Sequence, residues 1–172
     1  MFISTSIQKV SLEVVDNIFE SKKIGNLKSP NQDMFVKLFC IPHEWGVAGM
    51  TSEYESWILS CLSKKSKNIF EFGTCSGKTT LLLAANSPED AKITTITLDP
   101  EKAKKITFEK QDNKIASRNI LKESQYINFM FSNYGYLEKK IDVIFQDSKK
   151  LNIENFENKF DLIFIDGGHS YS

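Results

Sequence analysis

One stretch, Ser66 to Ala85 (SKNIFEFGTCSGKTTLLLAA), constrains the fold more than any other. Asn68-Ile69-Phe70-Glu71-Phe72 is a short apolar run of the kind that forms a buried parallel strand. Gly73-Thr74-Cys75-Ser76-Gly77 is a turn bracketed by glycines. Lys78 to Ala85 is a run of helix formers, and its leucines, Leu81 to Leu83, predict packing back onto a sheet. Strand, glycine turn and helix form the front half of a βαβ unit. The helix start leaves unpaired N–H groups at the positive end of a dipole, which invites an anionic ligand group.

The spacing decides which kind of glycine turn this is. A phosphate-binding P-loop needs four residues between its glycines before Lys and Ser/Thr. Gly73 and Gly77 enclose only Thr74, Cys75 and Ser76, so Gly77-Lys78-Thr79 follows a loop one residue short of a phosphate cradle. The dinucleotide fingerprint G-x-G-x-x-G is not supplied either. What stands is E-x-G-x-x-x-G-x-T, with Glu71 as its acidic residue.

The chain has 172 residues, 41% of them hydrophobic and 26% charged, which is enough for one domain with a real core. Net charge is zero, so nothing supports nucleic acid or an acidic membrane as a bulk partner. Arg118 is the only arginine, which makes bidentate clamps on phosphate scarce. Cys40, Cys61 and Cys75 have no metal-like spacing and fit a reducing cytosol, so a cytoplasmic location is expected. Cys75 reads either as an accessible thiol or as a small loop residue. No run is apolar for long enough to span a bilayer, and no signal-peptide pattern opens the chain.

Residues 1–48 read as an N-terminal helical and loop extension, and 49–172 as the main domain. Val10, Val14, Val15, Ile18 and Phe19 predict an amphipathic helix. Ile24 to Gln32 reads as a loop, and Met34 to Ile41 as a short helix or a strand ended by Pro42. His43-Glu44-Trp45 is either a metal or substrate site or a surface pair beside an anchor. Ser52 and Glu55 form a capping box, so a helix follows, with Tyr54, Trp57, Ile58, Cys61 and Leu62 as its packing face. Lys92 to Leu98 is the next strand, ending at Asp99-Pro100. Asp99 lies further from Glu71 than the roughly 20 positions of the dinucleotide fingerprint. Its carboxylate suits both ribose hydroxyls and also suits a helix cap, and the two roles are compatible.

Glu101 to Gln125 predicts one or two helices on the outer face. Tyr126 to Phe131 predicts a short extra strand, a pocket wall or core. Ile141 to Phe145 is a third strand, followed by Asp147 and Ser148, and Asp161 to Ile165 a fourth, followed by Asp166. Each strand thus delivers an acidic residue at or near its carboxyl end: Glu71, Asp99, Asp147 and Asp166. Ligands of open α/β sheets bind outside that edge.

Taken together, the glycine motif and Phe164-Ile165-Asp166-Gly167-Gly168-His169-Ser170-Tyr171 resemble the class I S-adenosylmethionine-dependent methyltransferases. The likeness is to their small O-methyltransferase-like group with a strand reading FIDGxHxY, from about Gly49 onward. The resemblance implies a Rossmann-like open parallel sheet with flanking helices, and S-adenosylmethionine as cofactor. It implies that Glu71 binds near the amino end of the methionine moiety, that Gly73 and Gly77 let the backbone approach the cofactor, and that Thr74 between them is cofactor-binding. Asp99 would hold the ribose, and Asp147 with Ser148 would touch the adenine edge. Asp166 would face the sulfonium and the acceptor. In metal-using relatives such as catechol O-methyltransferase the matching aspartate ligates magnesium, which makes Asp166 the candidate ligand of a divalent metal. His169 is either a base toward a hydroxyl acceptor or a turn histidine bonded to Asp166.

The reaction implied is methyl transfer to a hydroxyl of a small molecule or sugar. A rival reading is a non-catalytic nucleoside-binding or partner-binding remnant of the same fold; another, from Gly77-Lys78-Thr79, is nucleotide hydrolysis. The family's domain continues past its fourth strand, so the sheet is expected to be incomplete on the C-terminal side. The fourth strand is then expected to expose an apolar edge, and this chain alone to be poorly soluble or inactive.

Overall fold

The computed structural model describes residues 22–24, 27–29, 36–39, 50–108, 110 and 113–167. The chain divides into two compact units, Met1–Phe35 and Val36–Ser172. In the first, β1 (Lys22–Ile24) pairs antiparallel with β2 (Leu27–Ser29), in register Lys22↔Ser29 and Ile24↔Leu27. The loop expected over Ile24 to Gln32 therefore contains a strand. The two runs are short enough to turn back on each other, and ladder hydrogen bonds replace water. The helix expected around Val10 to Glu20 lies outside the described residues, as does His43-Glu44-Trp45.

The second unit is built on four parallel strands: β3 (Asn68–Phe72), β4 (Lys92–Thr97), β5 (Ile141–Phe145) and β6 (Leu162–Ile165), in the order β5-β4-β3-β6. The chain steps outward from β3 to β5, then returns to the other side of β3 for β6. The strand order therefore reverses beside β3, and this switch point is where an open α/β sheet opens a crevice. Side chains alternate across the sheet. Ile69 and Glu71 face the same side as Ile93 and Thr95, and Phe70 and Phe72 face the other.

On the first face lies α2 (Lys78–Asn86), whose Leu81 and Leu83 have no exposure and whose Leu82 has 1%. Burying each such side chain contributes about 1.5–3 kcal/mol. On the second face, Phe156 and Phe160 meet Phe70 edge-on at centroid distances of 5.3 and 5.0 Å. β6 pairs only with β3 among the described residues, and Ile163 and Ile165 on it are 54% and 74% exposed.

The capping box closes as expected. Ser52 Oγ accepts from Glu55 N at 3.2 Å, and Glu55 Oε2 accepts from Ser52 N at 2.7 Å, starting α1 (Glu53–Ser63). The packing face differs from the expected one, however. Tyr54 and Trp57 are 63% and 38% exposed, while Ser56, Leu59, Ser60, Cys61 and Ser63 are buried. The serines lie against α2 because small side chains permit a close approach; Ser60 finds a partner on α2, whereas Ser56 Oγ has none. Ser60 Oγ donates to Ser56 O at 2.7 Å and accepts from Asn86 Nδ2 at 3.2 Å. Asn86 also exchanges two hydrogen bonds with the backbone of Lys37, at 2.7 and 2.9 Å. Residues 36–39 are consequently neither helix nor strand.

Asp161, taken above as the first residue of the last strand, lies just before β6. Its carboxylate accepts from Lys67 N and Asn68 N at 2.8 and 2.9 Å, which fixes the entry to β3 and holds its pKa below the usual range. Glu101 to Gln125 supplies two helices, α3 (Pro100–Ala103) and α4 (Lys114–Glu123). No described helix is long and apolar enough to cross a membrane.

Candidate functional site

The loop after β3 is shaped by its protein neighbours. Gly73 has φ +100°, and a Cβ there would sit 2.1 Å from the carbonyl oxygen of Asp166. Gly77 has φ +80° and caps α2; a Cβ there would meet Phe129 and Phe131 at 2.9 Å. Both positions therefore require glycine for conformation and protein packing. Protein packing alone thus accounts for both glycines, beside the expected role of letting a cofactor approach. Gly73 does line the crevice, but Gly77 faces buried aromatic rings. Those rings answer the question left by Tyr126 to Phe131: Phe129 and Phe131 are core, stacked at 5.0 Å, and Met130 N donates to Ser76 O at 2.9 Å behind the loop.

Because all four strands are parallel, their carboxyl ends share one edge. Gly73 N donates to Ile96 O at 3.0 Å, Gln146 N to Thr97 O at 2.9 Å and Asp166 N to Phe72 O at 2.9 Å, so the strand ends are sewn together. A cavity of about 700 Å³ opens there. Gly73, Asp147 and Ser148 line it, together with Ile106, Phe108 and Gln146. A smaller one of about 40 Å³ adjoins it, lined by Thr51, Gly73, Thr74, Lys78, Thr79 and Asp166.

Asp99 lines neither cavity; its neighbours Thr97 and Leu98 line the larger one. Asp99 Oδ1 accepts from Glu101 N at 2.9 Å and Lys102 N at 3.3 Å, so the residue caps α3 with Pro100 in the first turn. Its Oδ2 has Lys102 Nζ at 4.0 Å and remains partly exposed. Asp147 uses Oδ1 to accept from Lys149 N at 3.0 Å.

Glu71 is the largest departure from expectation. It has no exposure and lines neither cavity. Its Oε2 accepts from Thr80 Oγ1 and, at 2.7 Å, from Thr95 Oγ1, while Oε1 has no hydrogen-bond partner. Burial raises its pKa to about 7 against the opposing pull of the two threonine hydroxyls, and the charge of Asp166 adds to the rise. Glu71, expected near the amino end of the methionine moiety, is thus enclosed behind the loop and lines neither cavity. Position 71 is an interior point of β3, on the face that α2 covers.

Lys78 is 7% exposed, and its amine donates to Thr51 O at 3.1 Å with Glu53 at 3.6 Å. That amine is committed to the α1 side of the loop, which gives no support to a P-loop role. Cys75 lines both cavities with φ 46°, and burial pushes its thiol up to about 12, so it stands as a protonated loop residue. Among the described residues no group of three or more His, Cys, Asp or Glu side chains could hold a metal ion. The expected metal role of Asp166 therefore lacks a ligand set there. His169 lies outside the described residues.

The sequence predicted a helix at α4 but not its place at the site. Ile120 and Ser124 line the larger cavity and Glu123 lines both, although this segment was expected on the outer face. The spacing of Ile120, Glu123 and Ser124 on one helical face was the available signal.

A family profile described as a methyltransferase domain matches residues 70–172. No curated protein matches the sequence. Similar solved structures include a Klebsiella pneumoniae protein assigned as an O-methyltransferase, with 22% identity and TM-score 0.48 over 73% of this chain and 49% of that one. A Bacillus cereus O-methyltransferase in complex with SAH has 21% identity and TM-score 0.45 over 70% and 47%. TomG, an O-methyltransferase of Streptomyces achromogenes in complex with SAM, has 19% identity and TM-score 0.44 over 73% and 47%. The chain spans about half the length of these proteins.

Proposed function

This chain belongs to the family of methyltransferase domains, and from that membership we propose that it binds S-adenosylmethionine over the carboxyl edge of its sheet and serves methyl transfer to a hydroxyl of a small molecule or sugar. The supporting observation is the meeting of four parallel strand ends over a cavity of about 700 Å³, within the range of small-ligand pockets. Bound there, the cofactor supplies a methyl group already made electrophilic by its sulfonium.

The protein's task is then positional: to hold acceptor oxygen, methyl carbon and sulfur in line and to exclude water. The cofactor would supply the methyl group to the acceptor's oxygen, and the hydroxyl proton would pass to a base of the protein. Asp166, at the edge of the smaller cavity, is assigned to face the sulfonium and the acceptor, and His169 to the acceptor's proton. Asp147 and Ser148, on the larger cavity, are assigned to the adenine edge. Asp99 is assigned to the ribose through Oδ2, the oxygen its helix cap leaves over.

Calorimetric titration of the wild-type chain and Asp99→Asn with S-adenosylhomocysteine tests this. Asn keeps the cap and removes the charge, so wild type should bind with one-to-one stoichiometry and the variant about tenfold more weakly. Equal affinities would remove the ribose assignment, and absence of binding by the wild type would remove the cofactor reading.

A further inference from the structure

Beneath the glycine loop runs a chain of four buried oxygens. Glu71 Oε2 accepts from Thr80 Oγ1 and from Thr95 Oγ1, the latter at 2.7 Å. Thr95 Oγ1 lies 2.7 Å from Thr74 Oγ1. A hydroxyl has one proton to give. When Glu71 is ionised, Thr95 gives its proton to the carboxylate, so the contact between the threonines is made by the proton of Thr74. Thr74 is 2% exposed and lines the smaller cavity. With its proton turned inward, its hydroxyl has only acceptor lone pairs left for a ligand. Every link is nine-tenths or more buried, so water does not reorient the chain.

We infer that Glu71 is a positioning residue: acting through Thr95, it holds the Thr74 hydroxyl as an acceptor, and so adapts the smaller cavity to a hydrogen-bond donor, the ammonium of an amino-acid-like ligand end. This rests on the reading of the site as a cofactor pocket, and it departs from that reading in giving the ammonium contact to Thr74 rather than to Glu71. The orphan Oε1 fits the assignment. A carboxyl kept for fold stability alone would gain from a partner on both oxygens, whereas one oxygen suffices to set the direction of two hydroxyls.

The test uses the full chain at pH 8.5, above the value of about 7 to which burial brings Glu71, so that the carboxylate is acceptor-only. Thr95→Val keeps the side-chain shape and breaks the relay, and Thr95→Ser restores it. By calorimetry, S-adenosylhomocysteine should bind Thr95→Val about tenfold more weakly than wild type and Thr95→Ser close to wild type. 5′-Methylthioadenosine, which lacks the amino-acid end, should bind all three alike. Glu71→Gln added to Thr95→Val should cost nothing further, because the relay is already cut. Undiminished binding of S-adenosylhomocysteine by Thr95→Val, or equal losses for both ligands, would overturn the inference.

A second readout needs no ligand. The Thr74 hydroxyl proton should give a slowly exchanging NMR signal in wild type and Thr95→Ser and lose it in Thr95→Val. Its persistence in Thr95→Val would overturn the relay. Failure of the wild type to bind either adenosyl compound would instead sink the cofactor reading, with the NMR result still deciding the relay.

Discussion

Glu71→Gln isolates the energetic consequence of burying a carboxyl under the glycine loop. Glutamine keeps the shape and an acceptor oxygen for Thr80 and Thr95 but cannot ionise. In the wild type, burial moves Glu71 from its ordinary 4.5 to about 7. A rise of that size in the folded state amounts to about 3 kcal/mol, from 1.36 kcal/mol for each tenfold change in proton affinity. Between these two values the folded chain holds a proton that the unfolded chain has released. Stability therefore falls as pH rises through this window, and the full penalty is present above about 7. The usual carboxylate pattern, a gain in stability with rising pH, is reversed here.

Thermal unfolding of both chains from pH 4 to pH 8.5 reads this directly. For a chain of this size, about 3 kcal/mol corresponds to roughly 6–12 °C in Tm. Wild type should lose that much relative to Glu71→Gln between the acid and alkaline ends. A difference that stays flat with pH, or a wild type that gains on the variant as pH rises, would refute the claim that burial outweighs the threonine donors.

Gly73→Ala should cost at least about 3 kcal/mol in urea unfolding, because a left-handed φ and a contact with the Asp166 carbonyl both oppose a Cβ. Gly135→Ala, where a Cβ meets nothing within 4 Å, should be near neutral, and equal losses at both sites would contradict the packing argument. The Cys75 thiol, pushed up to about 12, should react with iodoacetamide at pH 8 more than a hundredfold more slowly than an ordinary thiol, since only the thiolate is nucleophilic. Rapid alkylation located at Cys75 by mass spectrometry would show the loop more open than described.

Much of the fold is legible along the chain. The apolar runs at Asn68–Phe72 and Ile141–Phe145 coincide with strands, and Ser52 with Glu55 starts a helix, because these patterns depend on residues a few positions apart. The convergence of Asp147 and Asp166 on one edge follows once the strands are parallel. The buried face of α1 was not legible: its aromatic stripe points outward, and a row of serines packs inward against Asn86 of α2.

The sequence by itself determined the strand, glycine turn and helix, their order, and the acidic residues that follow the strands. Backbone preference and side-chain period act locally, so contiguous residues suffice to set them. Only the tertiary structure decided what those residues do there. It enclosed Glu71 between β3, β4 and α2, and brought Ile120 and Glu123 to the cavity wall. Burial and hydrogen-bond partners come from residues distant in the chain, and a carboxyl's charge, direction and reach follow from them.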